Sequence, residues 1–289
     1  MYYKIPIRFQ REVILHILKN TQPNLLIDGT PCILSIYGPP GEGKTEMCKQ
    51  ILNDLGAKTV VMSISEFESE NAGEPAEILR RKYEEAEQYL LSSPNNISVL
   101  LIDDIDTAIG NWGEGVQYTV NTQIIVGELM QIANSEKRRK VPIILTGNDF
   151  TKIYNPLKRS GRMTSYYWEP DSDERLDSVQ MIYSWLSVSE CITLIDNCEQ
   201  YAADNELPRP PISFYSTIQG KLCDDELWGL FYKARQSCDN LSYISNIVLP
   251  EQNLYSLEHI ITICCNELIR IKTSHESFIG GNTDGIYSN

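Results

Sequence analysis

Residues 38–45 read GPPGEGKT, a match to G-x-x-x-x-G-K-[ST], and the segments on either side limit what the chain can build around it. PCILSIY (31–37) is a short apolar run stopped by Gly38 and two prolines, the pattern of a buried strand. EGKTEMCKQILNDLG reads as a helix closed by Gly56. Strand, glycine loop and helix together make an anion cradle: backbone N–H groups curl around phosphate oxygens and the helix N-terminus favours negative charge. In such a loop Lys44 neutralises the β and γ phosphates and Thr45 offers its hydroxyl to Mg²⁺. The expected nucleotide-contacting segment is Gly38, Pro39, Pro40, Gly41, Glu42, Gly43, Lys44, Thr45 and Glu46, with ATP or ADP and Mg²⁺ as ligands. A glycine-rich turn with an incidental lysine is the competing reading.

The rest of the chain supplies further strands at the spacing of an α/β fold. A second buried strand is expected at 58–64, further strands at 97–104, 141–147 and 164–170, and helices at 8–20, 75–93 and 122–134. Their alternation predicts a five-stranded parallel sheet with helices on both faces. After Pro170 strand-like runs largely stop, while helical periodicity continues through SVQMIYSWL, CITLIDNCEQYA, DDELWGLFYKA and YSLEHIITICCNELIRI. The expected organisation is an N-terminal helix or linker (1–30), an α/β subdomain (31–171), a smaller helical lid (172–278) and a flexible tail (279–289). LPRPP (207–211) reads as a loop within the lid.

Charge and cysteine usage narrow the functional class. The 289 residues carry 25 Lys and Arg against 39 Asp and Glu, a formal net charge of −14. Such a chain has no general attraction to phosphate backbones, which weighs against nucleic acid as a partner. EKRRK (136–140) is the one dense basic run and reads as a solvated loop. The eight cysteines form no CxxC pair, and His16, His259 and His275 are far apart, so no metal-ligand spacing is present. With no signal-type segment and no long apolar stretch, the expectation is a cytoplasmic protein with reduced thiols and no membrane partner.

Three later segments carry polar groups at strand ends. VLLIDDID (99–106) places Asp103 and Asp104 where ligands bind in such sheets, Asp103 to hold Mg²⁺ and Asp104 to orient or deprotonate an attacking water. IILTGND (143–149) ends on Thr146 and Asn148; the amide either positions water beside a γ-phosphate or caps the next helix. NPLKRSGRM (155–163) sets Arg159 and Arg162 around a Ser-Gly step, either as solvated surface or as cations awaiting a strong anion.

In this order, P-loop, LLIDDID, TGND and PLKRSGRM, the sequence resembles the AAA+ ATPases, and among them Rubisco activase. FESENAGEPAEILRRKYEEA (67–86), GVQYTVNTQIIVGELMQIA (115–133) and RRKVPIILTGNDFTKIYNPLKRSGRMTSYYWEP (138–170) carry the likeness, and ISFYSTIQGKLCDDEL (212–227) carries it more faintly. It is close over roughly 8–186 and distant but continuous to about 275. The resemblance implies an ATP-hydrolysing, chaperone-like remodelling motor, a hexameric ring of its own copies with nucleotide between subunits. It makes Asn148 the sensor-1 residue and Arg159 and Arg162 arginine fingers on the neighbour's γ-phosphate. It turns the loops at 68–73 and 108–116 toward a central pore, with Trp112 as a peptide grip or a local packing anchor. The implied client is Rubisco, freed of inhibitory sugar phosphates by pulling; a different protein client, or a nucleic-acid loader or mobile-element ATPase, stays open. Departures from the family lie in the GPPG opening, the short loop before the fourth strand, the near absence of a counterpart to the N-terminal extension, and the segment 230–248. Asp104 stands where AAA+ proteins usually have glutamate, and Lys221 stands near the sensor-2 arginine, keeping the charge without the planar bidentate grip.

Overall fold

The strands expected around the glycine loop all form. The computed structural model describes residues 4–63, 66, 73–106, 120–134, 139–153, 155–237 and 255–280. Five strands, β1 (Ile33–Tyr37), β2 (Lys58–Met62), β3 (Ser98–Ile102), β4 (Ile143–Gly147) and β5 (Met163–Tyr167), make one sheet in the order β2-β3-β4-β1-β5. Every pairing is parallel; Ile33 lies opposite Ile143 on one side and Met163 on the other. Helices α1 (Ile7–Thr21), α2 (Lys44–Asp54), α3 (Glu74–Ser92) and α4 (Val120–Ala133) flank it.

Both faces of the central strands are apolar because both are covered. On one face Ile33, Leu100, Ile102, Ile143 and Leu145 meet Leu79 and Leu90 of α3 and Leu129 of α4. On the other, Leu34, Ile36, Val99, Leu101 and Ile144 meet Phe9, Val13 and Ile17 of α1 and Cys48, Ile51 and Leu52 of α2. Full burial of each such side chain stabilises the fold by about 1.5–3 kcal/mol. These two layers therefore hold the strand ends, from which the site is built, in fixed positions.

The basic run does not behave as a solvated loop at its last arginine. Arg139 donates to four backbone carbonyls: Thr21 O at 2.6 Å, Ser93 O at 2.9 Å, Pro94 O at 3.1 Å and Asn96 O at 2.7 Å. Thr21 ends α1 and Ser93 follows α3, so the guanidinium fork satisfies carbonyls that lose their helical partners at helix C-termini. Residues 136–138 of that run lie outside the described residues.

The chain divides into two compact units, residues 1–169 and 170–289. The second contains α5 (Ser172–Ile182), α6 (Val188–Asp204), α7 (Ile212–Lys221), α8 (Asp224–Ser237) and α9 (Leu257–Gly280). Capping boxes start α5 (Asp171 with Glu174) and α6 (Ser187 with Glu190). Val179, Tyr183, Leu194, Cys198, Tyr215, Ile218, Ile260 and Cys264 form its core. Hydrophobic periodicity does not announce α7, whose sequence ISFYSTIQGK is rich in β-branched and aromatic residues that favour strands; packing in the unit's core overrides that preference. No described helix is long and apolar enough to cross a membrane.

Candidate nucleotide site

The loop between β1 and α2 depends on its glycines. Gly41 and Gly43 both have φ of +76°, in the left-handed region that glycine occupies without strain. A Cβ on Gly38 would overlap the carbonyl oxygen of Trp168. Gly43 is the N-cap of α2, and no side chain caps that helix. Its first N–H groups are therefore left to an external acceptor.

Lys44 is buried, and its Nζ donates to Gly38 O at 2.9 Å, Pro39 O at 2.7 Å and Asn148 Oδ1 at 3.2 Å. The ammonium is thus held over the loop by oxygen acceptors. Burial pulls its pKa down, while Asp104, Asp106, Glu42 and Asp103 pull it up. Thr45 Oγ1 lies 2.6 Å from Asp103 Oδ1, which also accepts from Thr146 Oγ1. Asp104 adopts a left-handed backbone, φ +50°, which costs a non-glycine residue about 1 kcal/mol or more. Burial raises the pKa of its carboxyl, neighbouring Asp103 and Asp106 raise it further, and Lys44 opposes them. One cation, Lys44, thus faces four carboxylates.

The turn after β4 is fixed from below. Asp106, fully buried, accepts the backbone N–H of Asn148 at 3.0 Å and of Asp149 at 2.9 Å through Oδ2. Asp106 comes so close that a Cβ on Gly147 would overlap its Oδ1. Of the two roles open to Asn148, the helix cap falls to Asp149, whose Oδ1 accepts from Thr151 N at 2.9 Å. Asn148 instead turns its amide oxygen to Lys44. Lys44, Thr45, Asp103 and Asn148, from three adjacent strand ends, thereby converge.

The remaining expected residues divide. Glu46 pairs with Lys49 at 2.7 Å on the surface of α2. Arg162 donates to Asn134 Oδ1 at 3.0 Å and to Pro156 O at 2.8 Å. Arg159 is exposed and its side chain has no partner among the described residues. Lys221 belongs to the second unit, where its ammonium meets Glu267 Oε2 at 2.6 Å. Trp112 and the loops at 68–72 and 108–116 lie outside the described residues.

Two residues that hold the site have weak signals in the sequence. Asp106 is the third carboxylate of LLIDDID, visible only as an extra acid in an acidic run. Trp168 lies beyond every motif, yet its Nε1 donates to Glu42 O at 2.9 Å within the loop.

A parallel sheet of this strand order, with a P-loop after β1, an acidic end on β3 and a polar end on β4, defines a P-loop ATPase domain. Residues 34–170 match the family described as "ATPase family associated with various cellular activities (AAA)". Ribulose bisphosphate carboxylase/oxygenase activase of Nostoc sp. is 35% identical over 280 residues, covering 90% of this chain and 64% of that protein. The same-named protein of Anabaena sp. is 34% identical over 294 residues, covering 95% of this chain and 68% of the relative. The chloroplastic activase of Arabidopsis thaliana is 35% identical over 235 residues, covering 76% and 47%. The chain belongs to the ribulose bisphosphate carboxylase/oxygenase (Rubisco) activase family of the AAA ATPases. It spans 64% of the length of the Nostoc relative and 47% of the plant one.

Proposed function

We propose that this chain hydrolyses ATP between adjacent copies of itself in a ring, a hexamer by family resemblance, and uses the turnover to remodel a protein client. The convergence of Lys44, Thr45, Asp103 and Asn148 carries the reading. The residues present fit the ligands. The N-terminal N–H groups of α2 have no side-chain cap, and a buried ammonium faces the loop. A hydroxyl beside a carboxylate is the hard-oxygen set that suits Mg²⁺, with Thr45 and Asp103 to hold it. Bound there, Mg²⁺ would supply charge neutralisation to the phosphates.

The protein's own groups have separate tasks in this reading. Lys44 neutralises phosphate charge, and Asn148, an uncharged amide, orients the attacking water without adding negative charge. Asp104, its carboxyl held above the usual range by burial and by its acidic neighbours, accepts the proton of that water. Arg159, exposed on its turn, is the cation offered to a neighbouring copy's γ-phosphate. Arg162, engaged within its own chain, holds that turn in place.

The relatives' name describes action on ribulose bisphosphate carboxylase/oxygenase, and Rubisco carrying an inhibitory sugar phosphate is the proposed client. Wild type is expected to turn over ATP, and Asp104→Asn to bind it while losing about 10²–10⁴-fold in rate. Equal, negligible rates in both would favour a slow, nucleotide-gated assembly factor. Failure to reactivate several forms of inhibited Rubisco with ATP would remove Rubisco as the client and leave the ATPase reading standing.

A further inference from the structure

The nucleotide loop rests on one side chain from outside its motifs. Trp168 follows β5 directly and is 1% exposed. Its backbone N–H donates to Tyr37 O at 2.7 Å, just ahead of the loop. Its carbonyl oxygen occupies the space that a Cβ on Gly38 would need. Its indole Nε1 donates to Glu42 O at 2.9 Å. One residue therefore braces the loop at its first glycine and again at Glu42.

The second contact has a stereochemical consequence. The carbonyl of Glu42 and the N–H of Gly43 belong to one planar trans peptide, in which C=O and N–H point in opposite directions. Gly41 and Gly43, both at φ +76°, flank Glu42 and give this peptide unusual freedom to rotate. Drawing the Glu42 oxygen toward the indole turns the Gly43 N–H the opposite way. That N–H belongs to the N-cap of α2, among the donors that cradle phosphates in loops of this type.

The indole is itself held from α1. The Arg8 guanidinium lies 4.4 Å from its ring centroid, and Arg8 Nη2 donates to Glu169 O at 2.6 Å. Phe9 meets the ring edge-on, with centroids 5.0 Å apart. Guanidinium–indole and edge-to-face contacts of this kind each add to the packing of the ring.

We propose that Trp168 is a positioning residue for nucleotide binding: it sets the Glu42–Gly43 peptide so that the Gly43 N–H faces the phosphates, and α1 holds it in that pose. The proposal rests on the nucleotide reading of the loop. Trp168→Phe keeps an aromatic ring and removes the donor. ADP and ATP affinities, measured by calorimetry on the full chain, should fall together by about tenfold, because the peptide serves phosphates common to both. At saturating ATP, kcat should stay within about twofold of wild type, so the loss appears in KM. A folded Trp168→Phe protein whose ADP affinity is within twofold of wild type overturns the proposal, whatever its melting temperature. Arg8→Gln provides a second route that leaves the indole in place. ADP binding about threefold weaker, with unchanged circular dichroism, supports the coupling from α1, and unchanged binding removes it. Absence of ADP binding by the wild-type chain would instead overturn the nucleotide site, and with it any role for Trp168 there.

Discussion

Arg162 reaches from the turn before β5 to Asn134, beyond the end of α4, and donates to its Oδ1 at 3.0 Å. The same guanidinium donates to Pro156 O at 2.8 Å, whereas Arg159, three residues earlier, is exposed with no side-chain partner among the described residues. The two arginines look equivalent in NPLKRSGRM and are not equivalent in the fold. Arg159→Ala should leave nucleotide binding intact and lower hydrolysis by about 10³–10⁵-fold, the worth of a cation supplied in trans. Arg162→Ala should lower stability by about 1–3 kcal/mol through loss of its anchoring bonds. Melting curves and ATPase rates on both variants separate the roles. An Arg162→Ala protein that melts like wild type but has lost turnover would assign it the same task as Arg159.

Thr45 and Asp103 share a hydrogen bond at 2.6 Å, so a change at either disturbs the proposed Mg²⁺ position. Asp103→Asn should raise the Mg²⁺ concentration for half-maximal ATPase by at least about tenfold. Lys44→Ala should abolish nucleotide binding at any Mg²⁺ level. Unchanged ATP affinity in Lys44→Ala would refute the loop assignment, and an unchanged Mg²⁺ titration in Asp103→Asn would move the metal elsewhere.

His16 is buried in α1, and burial lowers its pKa from 6.5 to about 4, against hydrogen bonds to the backbone of Ile143 and Cys32 that raise it. The folded protein therefore holds His16 neutral where the unfolded chain takes up a proton. Stability is fully present above about pH 6.5 and falls as pH drops from there toward 4. Between pH 7.5 and 5 this one group should account for a loss of about 2 kcal/mol. Urea melts at the two pH values test it, with His16→Gln as the control. An equal loss in the control would assign the acid sensitivity to other groups.

Arg139 holds four carbonyls from two segments of chain, the end of α1 and the turn after α3, and only a planar fork has the reach. Arg139→Lys should recover only part of what Arg139→Ala loses, with the alanine variant destabilised by about 3 kcal/mol or more. If lysine restores full stability in thermal melts, the charge alone is sufficient and the fork geometry is not.

These cases mark what the sequence discloses and what it withholds. The glycine loop and the strands were legible because short apolar runs ended in turn residues, and two covered faces leave no other use for LSI, VLLI or IILT. The identities at the strand ends were legible for the same reason: Asp103 follows β3 as directly as Gly38 follows β1. The choice between the two roles of Asn148 was not legible, because it depends on Asp149 taking the cap and Asp106 holding both backbone N–H groups. Arg139 looked like one cation in a basic run because its partners are carbonyls, which no side-chain pattern records. Trp168 lay inside an expected strand with nothing to mark its role, since its partner is the backbone of Glu42. Contacts to main chain are the common element in what the sequence left unread.

The strand order has a consequence for how the protein is made. β1 emerges early from the ribosome, but Ile33 pairs only with Ile143 and Met163, so β1 stays without strand partners until β4 and β5 have followed. Pairings this distant along the chain form slowly. A nascent chain that stops short of β4 carries an intact GPPGEGKT and has neither Asn148 to meet Lys44 nor Trp168 to brace Glu42. The motif that is easiest to read is therefore among the last parts of the domain to acquire its final contacts, which arrive only with the strands that close the sheet around β1.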